Sequence, residues 1–135
     1  MKTLLYLDDK RNPKKQTHID TSSFGKVIWA KGYVDFVNWI YIHGLPDSIS
    51  FDHDLSPEHY APEEHWVGTY RIWRDENLTL FPTGLTCARF LVRYCTKYKC
   101  ELPTWTVHSL NPIGAYEIVL ELMTYAEEFY IENNK

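Results

Sequence analysis

The sequence predicts an α/β domain, a small sandwich built on a mostly parallel four-stranded sheet with an inserted segment at about 56–82. Three observations carry that expectation. Four short apolar runs, at 3–7, 27–30, 48–51 and 104–107, have the length and composition of strands. Segments of helical period follow three of them, which suits the crossovers that parallel strands require. Finally, LLYLDD (4–9), ISFDHDL (49–55) and TVHSLNP (106–112) each end an apolar run in carboxylates, imidazoles or hydroxyls.

Each element has a local reason. Residues 3–7 are apolar on both faces, as a central parallel strand is. The polar stretch 10–25, with Pro13 and Gly25, lacks a helical period, and a second strand follows at 27–30. Apolar residues at 33, 36, 37, 40 and 41 predict a helix over 33–43, and Gly44 stops it. Leu45-Pro46-Asp47 turns the chain into a strand at 48–51. The segment 56–82 has no sustained period, and its length suits a functional lid, with a short hairpin expected around 66–80. Gly84 begins a helix with Thr83 as its N-cap and Ala88, Leu91, Val92 and Cys95 as its buried stripe. Pro103 precedes the strand at 104–107. The last helix, about 113–131, starts from Asn111-Pro112 and buries Ala115, Ile118, Leu122, Ala126 and Phe129.

The chain of 135 residues suits one domain over 1–135, and its 44% apolar share is enough for a real core. A net charge of −4 gives no general attraction to nucleic acid or anionic membrane. A basic knot, Lys10, Arg11, Lys14 and Lys15, follows the first acidic pair and reads either as an anion site or as a solvated loop. Three cysteines without a Cys-x-x-Cys pair argue against a disulfide framework and a structural zinc site. No apolar run of about 20 residues spans a bilayer, and nothing before the first strand reads as a signal peptide. The expected location is the cytoplasm.

Ligands of open α/β sheets bind at the carboxyl ends of the strands, so the three polar clusters are expected to share one cavity. Asp8, Asp9 and Asp52 or Asp54 supply the oxygen ligands that a hard cation such as Mg²⁺ prefers. The competing reading is that Asp9 caps the turn before Arg11 and pairs with it. His53 and His108 are candidates to exchange protons as general base and acid, with Ser109 beside them. Strand alternation turns His53 away from Asp52 and Asp54 unless the strand has already ended. The helix starts at Thr83-Gly84 and Asn111 offer backbone donors to a phosphate, with Lys10 and Arg11 as cations nearby.

LDDKRNP (7–13), SFDHDL (50–55), TG (83–84) and VHSLNP (107–112) resemble the signature blocks of the cyclic-phosphate-processing receiver-like domains, small bacterial and phage proteins. The resemblance covers nearly the whole chain and implies a flavodoxin-like or receiver-like three-layer sandwich with an acidic pocket. By that resemblance Asp8 and Asp9 match the acidic pair of a receiver's first strand, Asp52 the acid ending its third, and Ser109 its hydroxyl residue. A receiver's lysine beyond the last strand has no match, because residues 102–134 contain neither Lys nor Arg. That departure argues against a phosphoryl-aspartate switch.

The leading expectation is a phosphoesterase acting on an RNA 2′,3′-cyclic end or a cyclic nucleotide. Asp8, Asp9, Asp52 and Asp54 are its metal candidates, His53, His108 and Ser109 its catalytic candidates, and Lys10, Arg11, Thr83, Gly84 and Asn111 its phosphate contacts. The alternative is a module that sequesters a nucleotide without cutting it, as in phage counter-defence, which would place it in the host cytoplasm. A third reading is a degenerate receiver acting as a protein-interaction switch.

Overall fold

The computed structural model describes residues 2–16, 19–55 and 82–134. Strands β1 (Thr3–Leu7), β2 (Lys26–Ala30), β3 (Ser48–Phe51) and β4 (Thr104–Val107) form one sheet in the order β2-β1-β3-β4. Every neighbouring pair is parallel. The helices among the described residues are α1 (Tyr33–His43), α2 (Gly84–Tyr98) and α3 (Pro112–Asn133). This is the expected receiver-like or flavodoxin-like α/β arrangement. The segment 56–81, with the hairpin expected around 66–80, lies outside the described residues.

Topology decides which face each connection covers. From β2 through α1 to β3, and from β3 by way of α2 to β4, the chain advances in one direction across the sheet, and right-handed crossovers put α1 and α2 on one face. Helix α2 touches both α1 and α3. The main core accordingly joins Leu5, Leu7, Ala30, Ile49 and Phe51 of the sheet to Phe36, Ile40, Leu91, Ile118 and Leu122 of the helices. From β1 to β2 the chain moves the other way, so that connection crosses the opposite face. Its described residues hold only short 3-10 turns at Pro13–Lys15 and Thr21–Ser23, in keeping with its lack of helical period. Leu4, Tyr6 and Ser50 have the opposite strand parity to the core residues and are buried on this second face.

The helix ends follow local chemistry. Gly44 takes a φ of 81°, favourable only for glycine, and donates its N–H to Ile40 O at 2.8 Å. Thr83 and Thr86 form a reciprocal capping box at the start of α2. Asn111 Oδ1 accepts from Gly114 N at 3.0 Å, and Pro112 occupies the first turn of α3.

Three details of the core depart from expectation. Tyr41 is exposed and only edges onto the rings of Phe90 and Tyr94, because α1 turns Phe36 and Ile40 fully inward. Val92 is half-buried, while Leu85, Cys87 and Phe90 join the buried face of α2. In α3 the buried positions are 114, 118, 122 and 125, so Tyr125 replaces Ala126, which is exposed. Repeated steps of four drift around a helix of 3.6 residues per turn, and a step of three restores the stripe. No helix among the described residues is long and apolar enough to cross a membrane.

Candidate functional site

Leu7, Phe51 and Val107 lie side by side as the last rungs of β1, β3 and β4. The next residues are Asp8, Asp52 and His108, and their N–H groups extend the parallel ladder by one rung. Asp8 N donates to Ala30 O, Asp52 N to Leu7 O and His108 N to Phe51 O, at 3.0, 3.0 and 2.8 Å. Equal register and equal parity therefore put three side chains on one face of the sheet edge, the face opposite the helices. One ligand atom from each lies within 4.8 Å of the others. Asp8 and Asp52 are buried.

A hydrogen-bonded network fixes this row. His108 Nε2 meets Asp8 Oδ2 at 3.0 Å, and its Nδ1 meets Ser50 Oγ at 2.7 Å. Thr106 Oγ1 donates to Ser50 Oγ at 3.2 Å. Tyr6 stacks on the His108 ring with centroids 4.5 Å apart. Arg11 closes the arrangement: Nε donates to Asp8 Oδ2 at 2.7 Å, and one terminal nitrogen donates to His108 O at 3.2 Å and lies 3.6 Å from Asp52 Oδ1. Lys10 N and Arg11 N both donate to Asp8 Oδ1 at 2.9 Å.

The two acids respond oppositely. Burial raises the Asp8 pKa, but the hydrogen bonds from His108, Arg11 and Lys10, with the Arg11 charge, outweigh it and hold the group down at about 2. Burial and the charge of Asp8 push Asp52 up to about 7, against the pull of Arg11. Two carboxylates thus face one guanidinium, and the row retains unneutralised acidity. Carboxylate oxygens with one imidazole form a donor set that a divalent cation accepts, so Asp8, Asp52 and His108 fit a metal ion.

The other predicted residues fall elsewhere. His53 lies on the opposite face from His108, fully buried beneath the start of α3. Its Nδ1 pairs with Asp54 Oδ1 at 2.7 Å, and Asn111 Nδ2 donates to the same oxygen at 3.3 Å. The expected pairing of two imidazoles across one cavity is therefore not what the fold builds, because position 53 follows Asp52 by one residue and turns the other way. Asp54 pairs with His53 and stands outside the metal row. Asp9 also stays outside the row; Asp8, not Asp9, pairs with Arg11. Asp9 Oδ1 is buried without a hydrogen-bond partner among the described residues, and burial with the Asp8 charge raises its pKa.

Ser109 Oγ accepts from Asn111 N at 3.1 Å, within the turn that leads into α3. Thr83 and Asn111 are engaged in capping their own helices, and Gly84 is packed against the backbone of Asp52. Lys10 is exposed beside the row. Sequence reasoning missed Tyr6, Ser50 and Thr106, which carry the His108 ring. Ser50 left one signal: a polar residue in the middle of an otherwise apolar central strand needs a buried partner.

The sequence model described as the cyclic-phosphate processing receiver domain matches residues 3–124. No curated protein and no solved structure matches the chain.

Proposed function

The chain belongs to the cyclic-phosphate processing receiver domain family, and on that premise we propose that it is a phosphoesterase that opens a cyclic phosphate on an RNA end or a nucleotide. The observation that supports this reading most is the single row of Asp8, Asp52 and His108 at the carboxyl edge of the sheet. These three residues would hold a divalent cation, Mg²⁺ by the oxygen-rich donor set. Such a cation supplies Lewis acidity toward a phosphoryl oxygen and lowers the pKa of a bound water.

The protein's own residues do the rest. Ser50 and Tyr6 hold the imidazole of His108 in one orientation, and the serine hydroxyl can donate to Nδ1 or accept from it. Nε2 can thereby act as a ligand atom while Nδ1–H is satisfied, the usual arrangement behind a metal-bound histidine. Arg11 and Lys10, at the mouth of the row, attract the phosphate. His53 has no part in the proton transfer; it supports the edge from the helix side.

A binding module that sequesters the nucleotide intact is favoured by one observation. Both nitrogens of His108 and both oxygens of Asp8 are already engaged within the protein, and Ser50 is fully buried. The deciding experiment incubates 2′,3′-cyclic and 3′,5′-cyclic nucleotides and cyclic-ended RNA with the protein, with and without Mg²⁺, and reads products by mass spectrometry. Turnover that chelation abolishes and that falls at least 100-fold in His108→Ala and Asp8→Asn supports the enzyme. Bound ligand recovered intact after denaturation replaces it with the binding module.

A further inference from the structure

Asp8 accepts two hydrogen bonds on each carboxylate oxygen. The N–H groups of Lys10 and Arg11 take Oδ1, and Arg11 Nε and His108 Nε2 take Oδ2. An ionised carboxylate offers about four such positions, so Asp8 is saturated. A metal ion bound by Oδ2 and His108 Nε2 takes over the His108 contact and meets the other partner of Oδ2. The partner that carries positive charge is Arg11, whose guanidinium also reaches toward Asp52 Oδ1 and His108 O. Magnesium–oxygen distances are roughly 2 Å, whereas Arg11 Nε is 2.7 Å from the same Oδ2. On one shared oxygen the two cations would sit roughly 4 Å apart, where their repulsion favours release of Arg11.

The rest of the arrangement lets Arg11 move without disturbing the fold. Its backbone N–H is tied to Asp8 Oδ1, independently of the side chain. The side chain retains 28% of its exposure, against 1% for Asp8. Exposed Lys10, Lys14 and Lys15 flank it, so a guanidinium released from the row would join a basic edge that favours anions.

We infer that Arg11 is the resident cation of this site, displaced by the divalent metal, so that metal loading and presentation of a guanidinium to an anionic substrate are one event. The inference rests on reading Asp8, Asp52 and His108 as a cation site. It gives Arg11 two positions: across the acidic row without metal, and turned toward the phosphate with it. A planar guanidinium suits the second position because it can meet two phosphoryl oxygens at once.

The test titrates Mg²⁺ and Mn²⁺ alone into the wild-type protein, Arg11→Ala and Arg11→Gln by calorimetry, and follows the Arg11 Nε–H resonance of the wild type by NMR. Removing the competitor should tighten metal binding tenfold or more in either folded variant, and saturating Mg²⁺ should shift or broaden the wild-type Nε–H signal. A merely structural Arg11 predicts the reverse, weaker metal binding in the variants. Equal or weaker binding in the variants, or metal binding that leaves the Nε–H signal unmoved, overturns the inference and leaves the cation site standing. Absence of metal binding in all three proteins overturns the cation site and the inference together. If Arg11→Ala does not fold, Arg11→Gln and the wild-type resonance decide.

Discussion

A single residue, Asp52, concentrates the electrostatic cost of this edge. It sits beside a second carboxylate and is nearly excluded from water, so its charged form is disfavoured and its pKa lies at about 7. The consequence for stability has a definite sign. In the unfolded chain the group ionises near its ordinary 3.8, while in the fold it keeps its proton to about 7. Between those values the folded state binds more protons, so stability falls as pH rises through that window and is level above it. Asp8, held at about 2, acts in the opposite sense: its contribution is present above its ordinary 3.8 and is lost as pH falls toward 2. Denaturant melts of Asp52→Asn in chelator should therefore show a higher midpoint than wild type at pH 7.5 and no advantage at pH 4. An equal effect at both pH values would show that the carboxylate is not the strained group.

At the scale of elements, the unusual contact is between the turn after β3 and the starts of α2 and α3. His53 O accepts from Gly84 N at 2.8 Å, and its ring fills the space beneath Gly114. A β-carbon at Gly114 would overlap the His53 ring, and one at Gly84 would overlap the backbone carbonyl of Asp52. The histidine thus acts as a spacer that sets both helix N-termini against the sheet edge. Gly114→Ala should cost about 1–3 kcal/mol, the usual range for overpacking a filled interior. Gly84→Ala should cost more, since backbone cannot move aside as a ring can. Equilibrium unfolding measures both. In the double variant His53→Ala with Gly114→Ala the costs should be less than additive, as residues in contact are. Strict additivity would mean that the ring and the helix are not coupled.

For the whole molecule, strand order decides both protection and the location of the site. Strands β1 and β3 are interior to the sheet and almost wholly buried, whereas β2 and β4 are its edges. Hydrogen exchange should be slowest in β1 and β3 and clearly faster in β4, where Thr104 and Thr106 are exposed. Equal protection of β4 and β1 would contradict this sheet order. Among the described residues, the same order puts the helices on one face and the β1–β2 connection on the other. The acidic row opens on the face opposite the described helices, where Arg11 reaches it. Positive charge arrives there with Arg11, from the chain after the first strand, while residues 102–134 contain no Lys or Arg.

Periodicity, turn residues and caps act over a few neighbours, and they determined nearly all of the secondary structure. The four strands, the helix at 33–43 with its glycine stop and the Thr83 and Asn111 caps are local events that a chain records directly. The three polar clusters were legible for the same reason, since each ends its own apolar run. What the sequence left open was which cluster members would meet. Register and side-chain parity across three strands brought Asp8, Asp52 and His108 into one row and sent His53, Asp54 and Asp9 elsewhere. Ser50, Tyr6 and Thr106 joined the row by the same alignment, and none of them carries a mark in its own neighbourhood beyond a polar atom in a strand. A shift of one residue reverses the face of every side chain, so only the assembled sheet could make that selection.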